Sequence, residues 1–130
     1  MGRFIYGDIE DKCWFAVQPS DFPDRFGVIG KAVEDEDGCT MVEYDFDKSH
    51  LKRINEELER LKIAMGDKFE AIHSFFEKYD AYNDEMVRDE LEVDLFEAKR
   101  LVRVYADRLF GIKLKEYLEN NDTCSFSVEC

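Results

Sequence analysis

The side chains in this sequence whose type and spacing best suit chemistry are acids. Glu34, Asp35, Glu36 and Asp37 are consecutive, and Asp21 and Asp24 lie upstream in the only proline-containing stretch, PSDFPDRFG. Carboxylates at this density can imitate the phosphates of a nucleic acid and form charge-assisted hydrogen bonds with Arg and Lys of a partner. On a bare surface the same residues provide only solubility. Phe22 and Phe26 flank Pro23 and Asp24, so they are either core residues or aromatic anchors of an interface. Together, Asp21, Phe22, Asp24, Phe26, Glu34, Asp35, Glu36 and Asp37 make the candidate partner-binding set.

No arrangement suited to catalysis emerges. Asp8, Glu10 and Asp11 could offer oxygen ligands to a divalent cation, but carboxylates in a turn are ordinarily solvated, and no metal site is expected. The EDEDG stretch lacks the donor spacing, central Gly and closing Glu of an EF-hand loop. His50 and His73 titrate in the range of a general base, yet neither has a nucleophile beside it in sequence. Phosphate-loop, dinucleotide and hydrolase-elbow motifs are absent. The chain is therefore read as a non-enzyme without a cofactor. Cys13, Cys39, Cys124 and Cys130 have no zinc spacing. The first three are expected as small buried apolar residues in strands, and Cys130 as an exposed free thiol.

Charge is unevenly distributed. The 130 residues carry a formal charge of −13. Residues 1–47 hold 4 basic and 12 acidic side chains. Between positions 99 and 115, by contrast, Lys99, Arg100, Arg103, Arg108, Lys113 and Lys115 meet only one acid, Asp107. Such a balance disfavours direct binding to nucleic acid or to an anionic membrane, since both need a basic footprint. With 45% hydrophobic and 14% aromatic residues, the chain has enough apolar material for one real core. No apolar run approaches membrane-spanning length. The opening MGRFIYGDIE lacks the layout of a signal peptide, so a cytoplasmic setting is expected.

The elements that must position these residues follow from hydrophobic period. Residues 1–47 read as mainly β structure. Phe4–Tyr6 and Cys13–Gln18 form a hairpin through GDIEDK, Val28–Val33 is a further strand, EDEDG is a charged turn, and Thr40–Phe46 alternates again. Residues 48–119 read as helical. Leu51, Ile54, Leu58, Leu61 and Met65 define a first helix that starts at Asp47 or Ser49 and stops at Gly66. Phe69, Ile72, Phe75, Phe76 and Tyr79 define a second. A third spans 84–119, with a heptad seam of Leu91, Leu95, Ala98, Val102, Tyr105, Leu109 and Ile112. A helix that long, about 50 Å, either breaks near Gly111 or protrudes. If it protrudes, Leu91, Leu95, Val102, Tyr105 and Leu109 make a seam for a homodimer; otherwise the seam packs internally. Residues 123–130 return as a last strand. The expected fold is a single α+β domain, an antiparallel sheet of about four strands, three N-terminal and one C-terminal, packed against three helices.

The stretch MGRFIYGDIEDKCWFAVQPSDFPDRFGV, through Gly7, Asp8, Glu10, Trp14 and Gln18, resembles the opening of small acidic proteins encoded by bacteriophages and prophages, a likeness confined to the first 28 residues. The resemblance implies an inhibitor of host defence, such as an anti-CRISPR protein, that acts by binding and is frequently a dimer. The leading expectation is thus a non-enzymatic inhibitor that sets an acidic, DNA-mimicking surface against the basic channel of a host defence protein, plausibly a CRISPR nuclease or complex. One alternative is a sponge for a nucleotide signal, with Arg100, Arg103 and Arg108 reading phosphates. Another is a structural or assembly protein of the phage.

Overall fold

A computed structural model of the chain describes residues 4–13, 18–79 and 81–130. Five strands, β1 (Phe4–Gly7), β2 (Asp11–Lys12), β3 (Lys31–Asp35), β4 (Gly38–Asp47) and β5 (Thr123–Glu129), form one antiparallel sheet in the order β2-β1-β5-β4-β3. The α+β class holds, with five strands rather than four. β1 turns back at residues 8–10 to pair with Asp11 and Lys12. The expected partner strand Cys13–Gln18 largely coincides with residues 14–17, which lie outside the described residues. The third strand starts later than expected and takes in Glu34 and Asp35, leaving Glu36 and Asp37 as the turn. Gly38 closes that turn at φ 111°, a backbone that residues with a side chain rarely adopt.

Period-two alternation gives the sheet two unlike faces. Ile5, Val42, Tyr44, Phe46, Cys124, Phe126 and Val128 are buried on one face. There Tyr44 and Phe46 stack on Phe126, with ring centroids 5.3 and 5.9 Å apart. Of helices α1 (Leu51–Met65), α2 (Phe69–Lys78), α3 (Asp84–Leu91) and α4 (Leu95–Asn120), α4 packs against β5, α1 lies along α4, and α2 and α3 pack on each other and on α4. α1 begins where expected. Asp47 accepts from the Ser49 backbone N–H at 2.9 Å, and His50 Nδ1 accepts from the Asp47 N–H at 3.0 Å, a closed cap over a short 3-10 turn.

The expected third helix is divided. Glu92 adopts a left-handed backbone (φ 56°) and ends α3, and Asp94 then caps α4 by accepting from Glu97 N–H at 2.8 Å. Gly111 does not break α4. It is buried in mid-helix, where an added Cβ would lie 2.6 Å from the Phe26 ring and 2.7 Å from Leu58, so its smallness lets α4, α1 and the Phe26 loop meet. α1 and α4 run antiparallel: Leu58 meets Gly111, Glu57 sits level with Asp107 through a shared arginine, and Ala64 carbonyl accepts from Arg100. The heptad residues serve this internal packing. Leu91, Val102 and Tyr105 are buried in the core and Leu109 is half-buried, so Leu95 alone of the five candidate dimer-seam residues is exposed.

The cysteines divide differently from expectation. Cys13 and Cys124 are buried and outside the disulfide, and burial with nearby Asp8 pushes the Cys124 thiol up to about 12, an unreactive state. Cys39 is exposed, not buried, and forms a disulfide with Cys130 across a Cα–Cα distance of 5.9 Å. Pairing of Cys130 N–H with Thr40 carbonyl at 3.1 Å brings the two together.

Candidate functional site

The acidic run occupies the most exposed part of the fold. Every residue from Lys31 to Thr40 is exposed, and among the described residues none of Glu34, Asp35, Glu36 and Asp37 forms an ion pair. Their one side-chain hydrogen bond among the described residues is local: Asp35 accepts from Asp37 N–H at 2.8 Å. β3 is also an edge of the sheet. The charge continues along β4, whose solvent-side positions Glu43, Asp45 and Asp47 alternate with buried Val42, Tyr44 and Phe46. Two residues of strand advance about 6.7 Å, so these carboxylates form a regular row. Glu129 lies beside the row on β5, level with Met41. Across β3, β4 and β5 the only basic residue is Lys31. Alternation at 41–46 already signals this row in the sequence, where it reads simply as the wet side of a strand.

The proline-containing loop plays a different part. Phe22 and Phe26 are 3% and 0% exposed, and Phe22 packs edge-on against Phe110 at 5.0 Å. They are core residues and cannot anchor a partner. Asp24 accepts from the Tyr44 hydroxyl at 2.5 Å and from Gly30 N–H at 3.0 Å, fixing the turn into β3. Burial and Asp24 together hold the Tyr44 hydroxyl well above its ordinary range. Of the loop candidates only Asp21 is exposed. The candidate surface is therefore Asp21 with the hairpin and the β4 row, without either phenylalanine.

Between the loop and the helices lies a charge cluster that the hydrophobic periods conceal. Arg25, on the 3-10 turn Phe22–Phe26, donates to Glu57 of α1 at 3.0 Å and to Asp107 of α4 at 2.6 Å. Both acids are buried, at 2% and 0% exposure. Arg60 holds the other Glu57 oxygen at 2.7 Å, Gln18 donates to Asp107 at 2.8 Å, and Arg103 approaches Asp107 at 4.0 Å. Burial raises the Asp107 pKa against the opposing pull of Gln18, Arg25 and Arg103. Asp107 carries a signal in the sequence, as the lone acid between positions 99 and 115; Glu57 carries none.

The remaining candidates are structural. His50 caps α1. His73 links α2 to α4, its Nδ1 2.9 Å from the Tyr105 hydroxyl and its Nε2 3.1 Å from Glu77. Asp8 accepts from Ser125 N–H at 2.8 Å, and Asp11 pairs with Lys113 at 2.8 Å. No cluster of metal ligands occurs among the described residues. Arg100, Arg103 and Arg108 do not converge. Arg100 binds Glu97 and Ala64 carbonyl. Arg108 reaches Leu58 carbonyl and lies over the Phe69 ring at 5.1 Å. The groove that Arg108 lines, about 410 Å³, also holds Glu59, Glu116 and Glu119, a poor setting for phosphate. A cavity of about 390 Å³ near Gln18, Phe22 and Phe110 contains none of the three arginines.

The chain matches no protein-family model, no curated protein and no solved structure.

Proposed function

We propose that this chain is a non-enzymatic, phage-type inhibitor that docks its acidic sheet edge on the basic nucleic-acid channel of a host defence effector, such as a CRISPR nuclease or complex. The observation that carries the reading is the β3–β4 hairpin: four consecutive carboxylates without an ion pair among the described residues, continuous with the row Glu43, Asp45 and Asp47. Carboxylates left without an internal cation keep their capacity for Arg and Lys of another molecule. The proposed setting is the cytoplasm of the host, a reducing compartment in which the exposed Cys39–Cys130 disulfide is open to reduction. No described helix is long and apolar enough to cross a membrane. The nucleotide-sponge reading draws no support from the separated arginines.

The test is capture of partners from a bacterial lysate by tagged protein at low and high salt, with bound proteins and nucleic acids identified. The expected result is a nucleic-acid-handling protein whose retention falls with salt. The variant with Glu34, Asp35, Glu36 and Asp37 all changed to Lys then loses that protein, mainly through a slower association rate. Equal retention by this variant would overturn the proposal.

A further inference from the structure

The buried pair Glu57 and Asp107 has an outer layer of opposite sign. Along α1, Arg53, Glu57, Arg60 and Ala64 fall at steps of four, three and four; along α4, Asp107, Arg103, Arg100 and Phe96 fall at the same steps in reverse. Residues at such steps share one helix face, and the antiparallel α1–α4 pair sets the two stripes side by side. The acids of this seam point inward at 3% and 0% side-chain exposure, whereas Arg60, Arg103 and Arg100 remain 61%, 51% and 42% exposed. Arg53 continues the strip by donating to Arg25 carbonyl at 3.3 Å. Outermost on α4 is Phe96, 80% exposed and about 10 Å along the helix from Arg103. Ile63, 70% exposed, precedes Ala64 at the same end.

We infer that this arginine strip, ending on Phe96, receives the acidic hairpin of a second copy of this chain in a reciprocal, two-fold arrangement. The two surfaces are complementary in charge: guanidiniums on one, Glu34, Asp35, Glu36 and Asp37 on the other. They also match in apolar content, because the hairpin carries exposed Val33 and is preceded by Ile29, 81% exposed, while the strip carries Phe96 and Ile63. Within one chain they form no ion pair with each other among the described residues. Two-fold symmetry lets each protomer both give a hairpin and receive one. A nucleic-acid strand is the less suitable occupant, since the three exposed arginines Arg60, Arg100 and Arg103 make only a small basic footprint. The dimer hides the hairpin, so self-association competes with the partner binding proposed above and shares only the hairpin with it.

Sedimentation of the full chain at about 0.1 M salt, where the Debye length is about 10 Å, tests this by exchange of charge. The hairpin variant changes Glu34, Asp35, Glu36 and Asp37 to Lys; the strip variant is Arg100→Glu with Arg103→Glu. Each alone is expected to dimerise at least about tenfold more weakly than wild type, and their equimolar mixture to associate as wild type does, because both contacts are then again opposite in sign. Phe96→Ser, at an exposed site that leaves the fold unaffected, is expected to weaken dimerisation about tenfold. A wild type that stays monomeric, a mixture that fails to associate, or a strip variant that dimerises normally would each overturn the inference. So would a strip variant that loses only binding to a single-stranded DNA probe. The strip variant keeps lysate capture and the hairpin variant loses it, so failure of dimerisation and failure of the proposed function remain distinguishable.

Discussion

The hairpin and the Arg25 cluster use the same kinds of side chain to opposite ends. On the hairpin, carboxylates stand in water with no ion pair among the described residues and only the local Asp35–Asp37 hydrogen bond. In the cluster, Glu57 and Asp107 are out of water and depend on Arg25, which comes from a separate loop and pins it to two helices. Charges directed inward hold this molecule together; those directed outward are available for recognition.

The severest way to break the comparison is Arg25→Met, which leaves two buried carboxylates short of their shared partner. Removing one member of a buried pair costs about 3–5 kcal/mol, and the loss here is expected near about 3 kcal/mol because Arg60 and Arg103 remain. A fall in the urea midpoint at unchanged slope measures it.

A smaller effect comes from pH. Burial, opposed by Gln18, Arg25 and Arg103, raises Asp107 above its ordinary 3.8. The folded state therefore retains that proton to higher pH than the unfolded chain, and its contribution to stability falls as pH rises from about 3.8 through the raised value. For one proton the slope stays below about 1.4 kcal/mol per pH unit. Exposed Asp47, lowered by the Ser49 hydroxyl and N–H, contributes in the opposite direction. The measurement is thus the difference between wild type and Asp107→Asn, expected to shrink as pH rises; a constant difference would show that Asp107 does not titrate in this way.

The smallest expected effect sharpens the contrast most. Changing Glu34, Asp35, Glu36 and Asp37 to their amides should shift stability by no more than about 0.5 kcal/mol while removing the charge that the proposed partner reads. Thermal unfolding of the amide variant beside wild type checks it.

What could be read from the sequence follows the same divide. Apolar spacing identifies α1 through Ile54, Leu58, Leu61 and Met65, all buried, and identifies β4 through Val42, Tyr44 and Phe46, since burying one face is what these periods encode. It also exposes the hairpin acids, which need only be charged. It does not reveal Glu57, whose burial depends on an arginine 32 positions away. Nor does it reveal that Cys39 and Cys130, separated by 91 residues, become neighbours, because register between strands distant in sequence is a tertiary fact. The break at Glu92 escapes for a local reason: a left-handed cap is usually glycine, and here a glutamate fills it.

The position of β3 has one more consequence. An open sheet edge invites pairing with any other extended strand, the route by which β proteins form fibrils. At the opposite edge β2, among the described residues, has two residues. β3 offers five, and Lys31, Glu34 and Asp35 guard it, since stacking identical copies in register would place like charges about 4.8 Å apart. Whatever the acids of this hairpin recognise, they also keep the ribbon from seeding its own aggregation.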